Sequence, residues 1–154
     1  MNTLTSSLEF SHFPVMLSEI IQIASPEKGG LFIDCTFGGG SYSNALLKFP
    51  KTKVIGIDRD EAVISRANEL QKKYQKRFKF YQIKFSELDK ILNKNADTII
   101  FDLGLSSIQL KNLNRGFSFK SKNKLDMAMG LNNISAQEAI NNLSEKHLKL
   151  IIKI

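Results

Sequence analysis

An α/β fold built on a parallel sheet is what this sequence predicts, and three observations predict it. Four short segments, LFIDCTF (31–37), KVIGID (53–58), FKFYQIK (78–84) and TIIFDLG (98–104), are almost continuously apolar and rich in β-branched and aromatic residues, as strands covered on both faces are. Helical patterns separate them, so strand and helix alternate three times, the signature of right-handed βαβ units. The first strand also runs straight into Gly38, Gly39 and Gly40 and then into a helix, the place where such sheets bind ligands.

PVMLSEIIQIA reads as a helix that starts at Pro14 and breaks before Pro26, because proline suits a first turn and stops an established one. SNALLKF follows the first strand. EAVISRANELQKKYQ follows the second and sets Val63, Ala67, Leu70 and Tyr74 along one face. SELDKILNK follows the third, with Ser86 placed to cap it. After the fourth strand the alternation is lost, and residues 106–134 read as a long ordered loop with scattered apolar anchors. SAQEAINNL then opens with a capping box, Ser135 and Glu138, and SEKHLKLIIKI begins another amphipathic helix. No helix stop lies near Ile154, and four strands alone would leave TIIFDLG as an apolar sheet edge. The expectation is therefore a chain cut short, with residues 1–134 as the core and 135–154 as the start of an incomplete helical insert.

The 154 residues suffice for one domain or a fragment of a larger one, and 42% apolar content argues against disorder. A net charge of +7 favours a polyanionic partner only mildly. The single cysteine, Cys35, excludes an internal disulfide framework and a multi-cysteine metal site, so no metal is expected. MNTLTSSLEFSHFPV lacks the pattern of a signal peptide, and no apolar run is long enough to cross a bilayer. The expected location is cytoplasmic.

Three ligand classes use a glycine turn of this kind. A phosphate-binding Walker loop needs a lysine that is absent here, and a dinucleotide fingerprint fails at Ser43. Asp34, Asp58 and Asp102 fall at the ends of strands one, two and four, and no Lys or Arg lies between Asp34 and Leu47. An acidic cradle repels polyphosphate and suits a sulfonium cation that carries a ribose, which points to S-adenosylmethionine. Asp58 is placed to accept the ribose hydroxyls; its alternative role is a helix cap in DRDEAV. A nicotinamide-dependent oxidoreductase and a non-catalytic cofactor- or RNA-binding remnant are the competing readings.

HFPVML (12–17), DCTFGGGSYS (34–43), GIDRD (56–60), FSEL (85–88), DLGLSSIQL (102–110), RGFSF (115–119) and LDM (125–127) together resemble the ribosomal RNA small subunit methyltransferase H family, over its N-terminal half. The resemblance implies a Rossmann-like class I S-adenosylmethionine-dependent methyltransferase fold, truncated after the fourth parallel strand. It implies methylation of N4 of a cytidine in the decoding region of bacterial 16S rRNA, with the small ribosomal subunit as partner. It also implies cofactor contacts at Gly40, Ser41, Tyr42, Asp58, Phe85, Asp102 and Gln109. Ser41 and Tyr42 stand where the family usually has Gly and His, and Ala128 and Gly130 where it tends to have Arg and Asp. The family is about twice as long, so the chain by itself is expected to be inactive or only marginally folded.

N4 of cytosine is a poor nucleophile because its lone pair is delocalised into the ring, so transfer needs in-line placement and an acceptor for the amino hydrogen. Asp102, with Leu103 and Gly104, is the candidate edge facing that amine, or a cofactor contact only. Cys35 reads as a small buried thiol. His12 is a candidate to cap or line the site, His147 reads as solvent-facing, and Phe37 and Phe85 are candidates to flank the adenine or fill the core. In LKNLNRGFSFKSKNK, the cations Lys111, Arg115, Lys120, Lys122 and Lys124 surround Phe117 and Phe119, which suits RNA phosphates and bases or a solvated loop with two core anchors.

Overall fold

The structure is a computed structural model that describes residues 14–131 and 134–153. His12, and with it the start of HFPVML, lies outside the described residues. The strands are β1 (Gly30–Asp34), β2 (Thr52–Asp58), β3 (Phe78–Gln82) and β4 (Thr98–Ile100). They form one wholly parallel sheet in the order β3-β2-β1-β4. The order reverses direction at β1, so the glycine turn after β1 sits at the switch point where open parallel sheets take ligands. The fold is Rossmann-like.

The near-continuous apolar strands are explained by their two covers. Phe32, Val54, Phe78 and Ile100 point to one face, where they pack with Leu46, Leu47, Val63, Ala67 and Leu70 of the helices. Ile33 and Ile57 point to the other, against Leu88, Ile91 and Leu92. β4 is shorter than the sequence predicts because β1, the strand it pairs with, ends at Asp34 opposite Ile100; Phe101, Leu103 and Leu105 are exposed.

The helices are α1 (Leu17–Ala24), α2 (Ser41–Leu47), α3 (Ile64–Tyr74), α4 (Ser107–Lys111), α5 (Ala136–Asn142) and α6 (Glu145–Ile152). α1 starts three residues later than Pro14 because Met16 takes a left-handed conformation, φ 52°. α3 buries Val63 just ahead of it, then Ala67 and Leu70, the face that the spacing predicts. SELDKILNK is not an α-helix: Phe85–Lys90 is a 3₁₀ segment in which Glu87 leaves helical geometry, and Ser86 caps nothing. The Glu87 carboxylate accepts the Lys84 N–H at 3.3 Å and pairs with Lys90 at 2.6 Å, tying the segment to its own flank. The expected loop over 106–134 contains α4 and a 3₁₀ turn at Leu113–Arg115. Ser135 and Glu138 form the expected capping box on α5. Among the described residues no helix is long and apolar enough to cross a membrane.

Candidate functional site

A cavity of about 430 Å³ opens beyond the carboxyl ends of the four strands, within the range of small-molecule sites. Ser41, Tyr42, Asp58, Phe85, Asp102 and Gln109 all line it, and Gly40 does not. Pro14 and Val15 close one side, and residues 83–86 and 102–106 close others.

The three glycines serve different ends. Gly40 has φ 74°, and a Cβ there would lie 2.7 Å from the Phe37 ring. It is a packing glycine. A Cβ on Gly39 would meet nothing within 4 Å, so the bare main chain at that position faces open space. Gly38 donates its N–H to Asp58 Oδ2 at 2.8 Å. The expectation that all three lie bare for a ligand is thus corrected: the ring beneath Gly40 takes up the space its side chain would need.

Asp58 ends β2 with both carboxylate oxygens engaged, Oδ2 by Gly38 and Oδ1 by the Asp60 N–H at 2.9 Å. Each oxygen can accept a second donor. Burial pushes its pKa up, while the Asp60 and Gly38 N–H groups pull it back. Asp58 is not the helix cap of DRDEAV; Asp60 is, accepting the Ala62 N–H at 3.1 Å.

Asp34 is the main departure from the expected ring of acids. It is fully buried and does not line the cavity. Ser43 donates to its Oδ2 at 2.7 Å, and burial pushes its pKa up to about 6. The cation-free stretch from Asp34 to Leu47 is real, yet Arg59 and Lys84 reach the cavity wall from the ends of β2 and β3. Two acids and two cations therefore line the site, because the sheet brings in walls that the glycine segment alone does not reveal.

Asp102 lies two residues beyond β4, and its N–H donates to Thr36 Oγ1 at 2.8 Å, joining the ends of β1 and β4. The Tyr42 hydroxyl donates to the Val15 carbonyl and faces Asp102; burial, then the Asp102 charge, pushes the phenol pKa up. Phe85 meets Phe101 edge to face at 5.5 Å and stays half exposed at the cavity. Phe37 also borders the cavity but is buried, its ring packed on Phe78 and Phe80 in the core. Cys35 is buried, its thiol pushed up to about 11 by burial and by Asp34, which makes it a poor nucleophile. His147 is exposed and meets the Ser144 hydroxyl.

Gln109 is tied into the protein at both amide atoms. Its Oε1 accepts the Ser106 N–H at 2.9 Å, and its Nε2 donates to Asp60 Oδ2 at 2.9 Å. Arg115 pairs with the same Asp60 oxygen at 2.8 Å and donates to the Ala128 carbonyl. Arg115 is therefore not among the outward cations of its loop; it lies over the Phe117 ring and faces inward. Asp60 carries only the signal of a helix cap ahead of EAV, which does not reveal Gln109 and Arg115 as its partners, and Ser106 and Gln109 form an S-x-x-Q capping box that marks α4.

A parallel sheet with a cavity at its switch point and an acid ending the second strand defines a Rossmann-like α/β fold with a candidate ligand site. The chain belongs to the MraW methylase family, whose sequence model matches residues 9–154. It is similar to the ribosomal RNA small subunit methyltransferase H of Rickettsia massiliae (strain Mtu5), 44% identical over 143 residues, and to that of Rickettsia canadensis (strain McKiel), 42% identical over 146. These alignments cover 92% and 94% of this chain, and 47% of each relative, so the chain spans about half the length of the curated relatives it matches. Among solved structures, an rRNA methylase from Streptococcus thermophilus aligns over 60% of this chain and 58% of its own, with TM-score 0.46 and 17% identity.

Proposed function

We propose that this chain supplies the donor-binding half of an S-adenosylmethionine-dependent methyltransferase that acts on N4 of a cytidine in the decoding region of 16S rRNA, in the cytoplasm. Residues 1–134 form the core of that half, and 135–154 begin a helical insert. Family membership and the names of the relatives support the reading. The observation that carries it is Asp58, held at the end of β2 by two main-chain N–H groups beside open space over Gly39.

The residues fit the donor. Asp58 has lone pairs left for two ribose hydroxyls, the open main chain at Gly39 gives close approach, and the half-exposed Phe85 ring offers a face for adenine. When bound, S-adenosylmethionine supplies an electrophilic methyl group on a sulfonium. This chain's part is placement: Asp58 orients the ribose, Thr36 fixes Asp102 through its main chain, and Asp102 accepts a hydrogen bond from the target amine. That bond draws electron density onto N4, whose lone pair is otherwise withdrawn into the ring. Gln109 acts through Asp60 and Ser106, holding the wall in place. Leu103 is largely exposed, so the target side stands open in these residues, and donor binding with little or no turnover is expected of this chain alone.

Calorimetric titration with S-adenosylmethionine tests the reading. Binding is expected, and Asp58→Ala should weaken it about a hundredfold, the loss of two hydrogen bonds to a charged group. Donor affinity indifferent to that substitution defeats the proposal.

A further inference from the structure

From Leu103 to Leu125 the chain carries five Lys and Arg residues and no Asp or Glu. The same run forms part of the cavity wall, at 103–106 and Gln109. Within it, Phe119 stands wholly in solvent, at 112% relative exposure, with no described residue covering it.

The ring is held out on an ordered support. Ser121 donates its N–H to the Ser118 carbonyl at 2.8 Å, and the Lys120 N–H meets Ser118 Oγ at 3.2 Å, closing a turn around Phe119. At its base Ser121 Oγ donates to the Leu113 carbonyl, and Phe117 is buried beneath the Arg115 guanidinium, 5.2 Å from the ring centre. The two phenylalanines of this segment have thus parted: one anchors the turn, the other is displayed. Lys120 and Lys122 beside the displayed ring are exposed.

A lone aromatic face flanked by cations matches single-stranded nucleic acid, whose bases stack on any π face while its phosphates seek positive charge. We propose that Phe119 stacks on an unpaired base of the RNA substrate, with Lys120 and Lys122 on the flanking phosphates. The assignment rests on the rRNA reading above and names the surface by which this half of the protein holds its substrate. The absence of acids over this run is the charge complementarity that selects RNA over a protein partner.

The test is fluorescence anisotropy of the intact chain with a labelled single-stranded oligoribonucleotide of about twelve nucleotides, at two salt concentrations. Phe119→Ala should weaken binding by about fivefold to a hundredfold, with the salt slope unchanged, and Phe119→Trp should restore it. Lys120→Gln with Lys122→Gln should weaken binding and make the log–log salt slope shallower by about 0.7 for each phosphate no longer neutralised. An unaltered chain that fails to bind the RNA overturns the proposal, as does full affinity in Phe119→Ala. Loss of self-association in Phe119→Ala, with RNA affinity intact, likewise overturns it by showing that protein covers the ring. Titration with S-adenosylmethionine reads the donor site separately, so failure there strikes the methyltransferase reading and leaves this outcome distinguishable.

Discussion

Asp34 lies sealed beneath the glycine turn, with Ser43 on Oδ2 and no partner at hydrogen-bonding geometry on Oδ1. Burial is the main cause of its raised pKa; the Ser43 hydroxyl and the facing Thr36 and Ser43 N–H groups oppose it without cancelling it. The carboxyl moves from an ordinary 3.8 when unfolded to about 6 when folded. Between these values the folded chain binds more protons than the unfolded one. Stability should therefore fall as pH rises from about 4 to about 6, by about 3 kcal/mol, and stay reduced above that. Asp58, shifted the same way, adds to the slope. Urea unfolding across pH 4–8 should show this decline, and Asp34→Asn should flatten most of it. A profile that rises through that window contradicts the assignment.

Between single residues and the whole sheet lies the segment from α4 to Gly130, which is held to the end of β2 by one carboxylate. Asp60 is almost completely buried and takes Gln109, Arg115 and the Ala62 N–H. Burial would raise its pKa, but these partners outweigh it and hold the carboxyl below its usual range. Removing one partner of a buried pair strands the other, at a cost of about 3 kcal/mol. Arg115→Met should lose about that much in urea unfolding and should also weaken donor binding, because the Asp60 N–H orients Asp58. Arg115→Lys should rescue little, since one ammonium cannot reach both Asp60 and the Ala128 carbonyl as the guanidinium fork does. Unchanged stability in Arg115→Met would show that this clasp holds nothing. The expectation of a loop over 106–134 passed over α4: its S-x-x-Q box is present in the chain, but five residues are too few for a periodic apolar pattern to declare a helix.

Across the described residues as a whole, the sheet is covered on both faces, but no strand pairs with the outer edge of β4. β4 pairs with β1, and Ile99 and Phe101 are about half exposed. An apolar strand edge is a template for association. The chain should self-associate as its concentration rises, and Ile99→Lys should reduce this in light scattering with little change in donor affinity. Equal scattering from both proteins would remove the edge as the cause.

The sequence by itself determined the strands, their parallel arrangement and the glycine turn, because burial on both faces writes a local apolar pattern. It also marked Asp58, since an acid ending the second strand needs no partner to be recognised. Only the tertiary structure decided which acids face the cavity and which lie beneath it. Only there does Gln109 meet Asp60 across 49 residues, and Phe117 part company with Phe119. Contacts between distant segments leave no periodic trace in the chain, so the burial of Asp34 and Phe117 and the pairing of Asp60 with Arg115 were settled by packing.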